Sequence, residues 1–394
     1  MKSIKNKVFL IILFLCVSPI VKAQNVDKII AKHINAHGGV KNWEAIKSMK
    51  ITGKFTAFSV MKDFYAIKTK KGAYYSELHL GKHKVKESFN GKTGWTIDPW
   101  QEINYPRALN KTELNVFKQK AEFFTPFYKY KEKGHKVEFL GEKNIDGIDV
   151  YVIKLTRPSG KFETWYLNTK TYLEYKYESE WVDFAFSSPA ESYFDDFRKI
   201  NGIIIPFYIE RTFRQRNRVT QINNIEFNNK VDESLFKIAK SKEIEKLAFL
   251  AGKWDIKCNI WFPGYGWYPV DSTVSEIKFV STNLLHEEIE YDAILPQSKK
   301  TNYTYNSSTK KYRLSVFNRL SSNIEVFEGD FTDSSFTVEN TNISYGDTTV
   351  NRSFSQIIYS KLEKDSFILE IKNSNDKGKT WNPSDKFIYI RRKE

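Results

Sequence analysis

The sequence predicts a mainly β protein of two modules, and three observations carry that expectation. Short runs of aromatic and β-branched residues recur about every ten residues, with Gly, Asn and Asp between them. Helical periodicity is confined to a few brief stretches. The 394 residues exceed a usual single domain, and their charge is divided unevenly. Ten-residue spacing fits antiparallel meanders, because βαβ crossovers need longer connections.

Met1 to Ala23 reads as a secretory signal: Lys2, Lys5 and Lys7 precede an apolar run over residues 8–17, and Val21-Lys22-Ala23 offers a cleavage site. That run is half the length a membrane-spanning helix needs. Cys16 follows Phe14-Leu15 where a lipidation site wants a small residue. The mature chain would begin at Gln24 and keep one cysteine, Cys258, which excludes a disulfide framework.

The formal charge is +15, and four of those charges are lysines of the signal. Residues 25–240 hold 37 basic against 26 acidic side chains, whereas residues 241–394 hold 21 of each. The mature surplus of +11 therefore belongs to the first half, with a boundary near Lys240. The expected modules are 24–240 and 241–394.

A helix is expected over residues 25–37, with Val26, Ile29, Ile30 and Ile34 at helical spacing and Gly38-Gly39 as its stop. A short turn over 40–46 carries Trp43 and Ile46. Strands follow over 51–60, 64–70, 74–80 and 85–89, punctuated by the turn signals Asn90-Gly91 and Asp98-Pro99. Between 111 and 124 the period changes: Leu114, Phe117, Lys118, Ala121 and Phe124 share the face of a helix inserted between strands. Six more strands run to 218, the last over 209–218. After a short helix over 241–251 the text reads as eight or more strands. An antiparallel sheet of that size hides its edges by closing into a barrel.

Catalytic templates are missing. There is no Gly-x-Ser-x-Gly elbow, no phosphate-binding glycine loop and no paired-cysteine zinc signature. Neither a catalytic residue nor a cofactor is expected. His33 and His37, four apart on a helix, could hold a metal from one face or could simply suit a helix terminus. No third ligand is spelled nearby, so no metal is expected. Ser307 to Lys310 matches Ser-x-x-Lys within a turn-like stretch. Asp195-Asp196 and Glu287-Glu288 are neighbours in strands and point to opposite faces, so neither makes an acid–base dyad.

Two constellations remain. Trp95, Trp100, Phe117, Phe123 and Phe124 cluster around the inserted helix, either as the lining of an apolar cleft or as core beneath it. Alternation places Arg214, Arg216 and Arg218 on one strand face with Arg211 opposite, as an anion-binding stripe or a solvated surface.

Several strings in residues 24–237 resemble periplasmic lipoprotein carriers of the LolA/LolB type and their outer-membrane lipoprotein-sorting relatives. They are the opening helix with Gly38-Gly39, Trp43 and Ile46; the run from Phe89 to Pro99 with its Asn-Gly-Lys and Trp95; Leu140-Gly141 to Asp146-Gly147 running into Tyr151; Tyr166-Leu167-Asn168; and Ile203 to Pro206. The resemblance implies a curved antiparallel half-barrel whose apolar concave face is lidded by helices. The second half resembles lipocalin/calycin-like exported domains: Gly252-Lys253-Trp254 looks like their opening Gly-x-Trp, and Arg391 sits where a last-strand Arg covers that Trp. The string from Ser374 to Trp381 is similar to an Asp-box, whose role is a rigid hairpin. Trp254 and Arg391 would then close the base of a calycin-like β-barrel.

The function expected is that of an exported periplasmic, non-enzymatic binding protein for a lipophilic ligand: a lipid, an acyl chain or a lipidated protein. Its basic half would touch an anionic membrane surface, and nucleic acid is not an expected partner. The alternatives are an envelope scaffold with filled barrels and a hydrolase with an unrecognised site.

Overall fold

A computed structural model describes residues 26–57, 60–80, 83–183, 186–214, 216–320, 324–342 and 354–393. The expected signal segment, with Cys16, lies outside them. The chain divides into two units, one of residues 1–99 with 108–237 and one of residues 100–107 with 238–394.

The first sheet is built from β1 (Ser48–Ala57), β2 (Val60–Thr69), β3 (Tyr74–Leu80), β4 (His83–Phe89), β5 (Gly94–Asp98), β6 (Ile103–Ala108), β7 (Lys136–Ile145), β8 (Ile148–Thr156), β9 (Phe162–Asn168), β10 (Glu174–Asp183), β11 (Phe186–Ile200), β12 (Ile203–Phe213) and β13 (Arg216–Phe227). Its order is β6-β5-β4-β3-β2-β1-β13-β12-β11-β10-β9-β8-β7. Two meanders are thus joined by one long-range antiparallel pair, β1 with β13, in which Met49 faces Phe227 and Phe55 faces Thr220. The sheet is curved.

Helix α1 (26–36) buries Val26, Ile29 and Ile30 against Ile153, Leu155, Trp165 and Leu167. It stops where expected, and the reason is backbone geometry. Gly38 has φ of 101°, and a Cβ there would run into the Gly202 carbonyl, so only glycine fits. Helix α2 (Gly39–Glu44) then places Trp43 among Ile203, Phe207, Ile222 and Ile225. Helix α3 (Lys111–Lys120) begins with a capping box, Asn110 accepting from the Glu113 amide and Glu113 from the Asn110 amide. It sets Phe117 on Tyr74, Phe89 and Ala66. The helix expected to reach residue 124 ends at Lys120, and Phe123 and Phe124 follow it in non-helical chain.

The second sheet is a closed antiparallel barrel of β14 (Gly252–Phe262), β15 (Gly266–Ser281), β16 (Leu284–Asp292), β17 (Pro296–Asn306), β18 (Lys311–Asn318), β19 (Ile324–Phe331), β20 (Ser335–Glu339), β21 (Phe354–Ser360), β22 (Ser366–Ser374) and β23 (Asn382–Arg391). The first and last strands pair to close it, with Trp254 opposite Arg391. Ahead of it the expected single helix is instead a short α4 (Lys242–Glu245) running into a 3-10 turn (Lys246–Leu250). Ile244, Leu247 and Leu250 from these turns are fully buried in the barrel's core cluster. Strand alternation sorts the side chains as period two demands: along β16, Leu285, Glu287, Ile289 and Tyr291 are buried while Glu288 and Glu290 face solvent.

Candidate functional site

One end of the barrel is filled with side chains. At the end where β14 begins, Trp254, Tyr312, Phe336, Tyr359, Phe367 and Tyr389 pack as one aromatic core. Phe367 stacks on Tyr389 at 4.2 Å between centroids, and Trp254 meets the edge of Phe367 at 4.9 Å. The Arg391 guanidinium lies over the Trp254 ring at 4.2 Å. It also donates to the Ala251 and Phe249 carbonyls at 2.9 and 3.1 Å, while the Trp254 indole donates to the Leu250 carbonyl at 2.8 Å. The base is therefore tied to the preceding turn through main-chain oxygens.

Above this plug the interior opens into a cavity of about 270 Å³. Ile289, Val316, Phe327, Ile357, Leu369 and Phe387 give it an apolar wall. Its floor is polar. The Glu287 carboxylate, 2% exposed, accepts from Ser275 Oγ at 2.8 Å, from Tyr303 at 2.9 Å and from Tyr389 at 3.1 Å. Tyr359 donates in turn to the Tyr303 oxygen at 3.2 Å. Burial raises the Glu287 pKa above the ordinary carboxylate value, and the three hydroxyl donors only partly oppose it. Glu288, pointing out, is instead held down to about 2 by hydrogen bonds from Lys300 and His286. Nearer the other end the lining turns ionic, with Lys299, Glu325 and Asp385. Lys299 donates to the Tyr291 hydroxyl at 2.9 Å; burial works against its charge, but Tyr291, Asp385 and Glu325 outweigh it and raise its pKa. Cys258 is in the core, where burial pushes its thiol up to about 12, far from a nucleophile's range.

This site differs from the one the sequence singled out. Trp95 sits on the opposite face of the first sheet from Phe117: Phe89 pairs with Gly94, so the next residue points the other way. Trp95 packs with Ala73, Tyr75 and Phe236. Phe123 and Phe124 belong to a third cluster, against Trp43 at 6.2 and 4.4 Å. The Trp100 side chain lies outside the described positions. The candidate aromatics are thus core in three separate clusters and do not converge on one cavity.

The arginine stripe is corrected as well. Residues 209–218 are not one strand but the β12–β13 hairpin, with Arg214 in its turn at φ of 53°. Arg218 pairs with Arg211 and Arg216 with Phe213, so Arg211 shares their face. Arg218 covers the Phe213 and Phe55 rings at 5.5 and 5.8 Å, and Arg211 donates to Ser192 Oγ and the Tyr177 hydroxyl, both at 2.9 Å. Ser307 and Lys310 fall in the turn between β17 and β18, where Asn306 caps the Ser308 and Thr309 amides.

His33 of α1 and His37, just past its end, meet a partner remote in sequence. His33, His37 and Glu174 bring three ligand atoms within 4.8 Å of one another. His37 Nε2 lies 2.8 Å from Glu174 Oε2, and its Nδ1 is 2.8 Å from the Ile204 carbonyl. His33 Nδ1 is 2.8 Å from the Tyr172 carbonyl, and its Nε2 is 2.9 Å from Thr125 Oγ1.

Among the described residues no helix is long and apolar enough to cross a membrane. No family model and no curated protein matches the sequence. Some solved structures are similar to part of the chain. A DUF1329 family protein from Desulfovibrio piger is 13% identical, covers 54% of this chain and 97% of its own, and gives a TM-score of 0.38. A LolA superfamily protein from Nitrosomonas europaea is 14% identical, covers 49% and 90%, and gives 0.36. A putative outer membrane lipoprotein-sorting protein domain from Vibrio parahaemolyticus is 11% identical, covers 53% and 95%, and gives 0.36.

Proposed function

We propose that the protein is an exported, non-enzymatic binding protein for a lipophilic ligand, and that the ligand chamber is the hollow half of the barrel. The observation that carries this is the cavity of about 270 Å³. A barrel serving only as a scaffold has no reason to leave its interior open, since unfilled space forfeits packing energy. The volume also limits the occupant. It lies near the lower end of ligand pockets. It suits one short acyl segment or a compact amphiphile, not a two-chain lipid. An apolar wall with polar groups at both ends favours an apolar body with a polar head.

Export to the bacterial envelope, lipid or lipoprotein handling, and contact of the basic first module with an anionic membrane surface belong to the same reading. They rest on the signal-like opening, the charge division and the LolA-type strings. Native mass spectrometry of the purified protein, together with titration of a fluorescent fatty-acid probe, tests the chamber. Ile357→Trp and Val316→Trp, which fill it, should abolish probe binding while circular dichroism stays unchanged. Equal binding by wild type and filled variants would move the ligand site out of the barrel.

A further inference from the structure

We infer that His33, His37 and Glu174 form a binding site for a divalent transition metal of the zinc class, with two imidazoles and one carboxylate as ligands. The histidines alone were ambiguous. Glu174, 137 residues beyond His37, supplies the missing third group.

Orientation is the strongest argument. Each Nδ1 donates to a main-chain carbonyl at 2.8 Å, Tyr172 for His33 and Ile204 for His37. Those bonds fix both rings and leave His37 Nε2 on Glu174 and His33 Nε2 on the Thr125 hydroxyl, the outer-shell arrangement that holds metal-bound imidazoles. The Thr125 hydroxyl, 2.9 Å from His33 Nε2, offers an oxygen for the fourth corner. A tetrahedral zinc spaces its ligand atoms by about 3.4 Å. The atoms here, within 4.8 Å, need shifts of about an ångström or so to close on the ion.

The surroundings suit a metal. His33 is fully buried and His37 is 4% exposed, with Phe127 and Phe197 edging the two rings. The ion forms bonds to His33 Nε2, His37 Nε2 and Glu174 and releases the single proton between His37 and Glu174 to solvent. The site links α1 to β10 and to the chain after α3, so the metal's role is to clamp the helix onto its sheet.

The full chain, freed of metal by chelator dialysis, is titrated with Co2+ and followed by visible absorption. One equivalent with the bands of a four-coordinate ion is the expected result. His33→Gln and Glu174→Gln should each weaken uptake by about 100-fold or more, while His286→Gln leaves it unchanged. If a ligand variant fails to fold, proton NMR of the wild type decides, with hyperfine shifts confined to the His33 and His37 rings. A folded wild type that takes up no stoichiometric Co2+ or Zn2+ overturns the site. So does unchanged uptake in both variants, or shifts at His135 or His286 instead.

Discussion

Burial holds the Glu287 carboxyl above its ordinary pKa of 4.5 even though Ser275, Tyr303 and Tyr389 donate to it. In the pH window between 4.5 and the raised native value, the folded state binds more protons than the unfolded chain. Stability therefore falls as pH rises through that window and levels off above it. Urea unfolding from pH 4 upward should show this decline, and Glu287→Gln should remove its share while keeping the side chain's shape. A variant with the same pH slope as wild type would mean that the carboxyl is not desolvated. At the base, Trp254 is fully buried, so Trp254→Ala should cost about 3–5 kcal/mol. Arg391→Met keeps the apolar stem but loses the ring contact and the carbonyl bonds, for a cost of about 2 kcal/mol. An unaltered urea midpoint in Trp254→Ala would show that the aromatic plug does not hold the barrel.

Elements explain why the aromatic cluster of the sequence dissolves in three dimensions. Trp95 lies on β5 facing away from α3, and its indole nitrogen is buried without a hydrogen-bond partner among the described residues. An unmet buried donor costs about 1–3 kcal/mol, so Trp95→Phe should leave stability unchanged or higher and should not touch ligand binding. A loss above about 2 kcal/mol would reveal a partner for that nitrogen. Helix α3 owes its start to the Asn110 capping box, and Asn110→Ala should cost about 1 kcal/mol. Differential scanning calorimetry can read that loss. The string from Ser374 to Trp381 is a local hairpin device: Asp376 accepts from the Thr380 amide and hydroxyl at 2.9 and 2.6 Å and from Ser374 at 2.7 Å.

At the scale of the whole molecule, residues 25–240 hold 37 basic against 26 acidic residues, and we propose that they form a basic module. If that module meets an anionic membrane surface, sedimentation with anionic vesicles should be strong at low salt and fade above ~0.1 M, where the screening length shrinks to about 10 Å. Replacing Arg214 and Arg216 at the β12–β13 hairpin by Gln should weaken it further. Binding that ignores salt would point to apolar insertion instead of charge.

The sequence alone determined what period and punctuation can encode. Ten-residue spacing carried the antiparallel sheets, glycines carried the stop of α1, and strand alternation already put the Glu287 and Glu288 carboxylates on opposite faces. It could not tell a strand from a hairpin at Arg214, because a non-glycine turn residue leaves no mark. Nor could it pair His37 with Glu174, whose meeting depends on helix docking across 137 residues. The hollow of the barrel was equally hidden. Alternation says which side chains face inward, but whether they fill the space depends on their volumes summed around a closed ring of ten strands, and closure is a property of the tertiary structure.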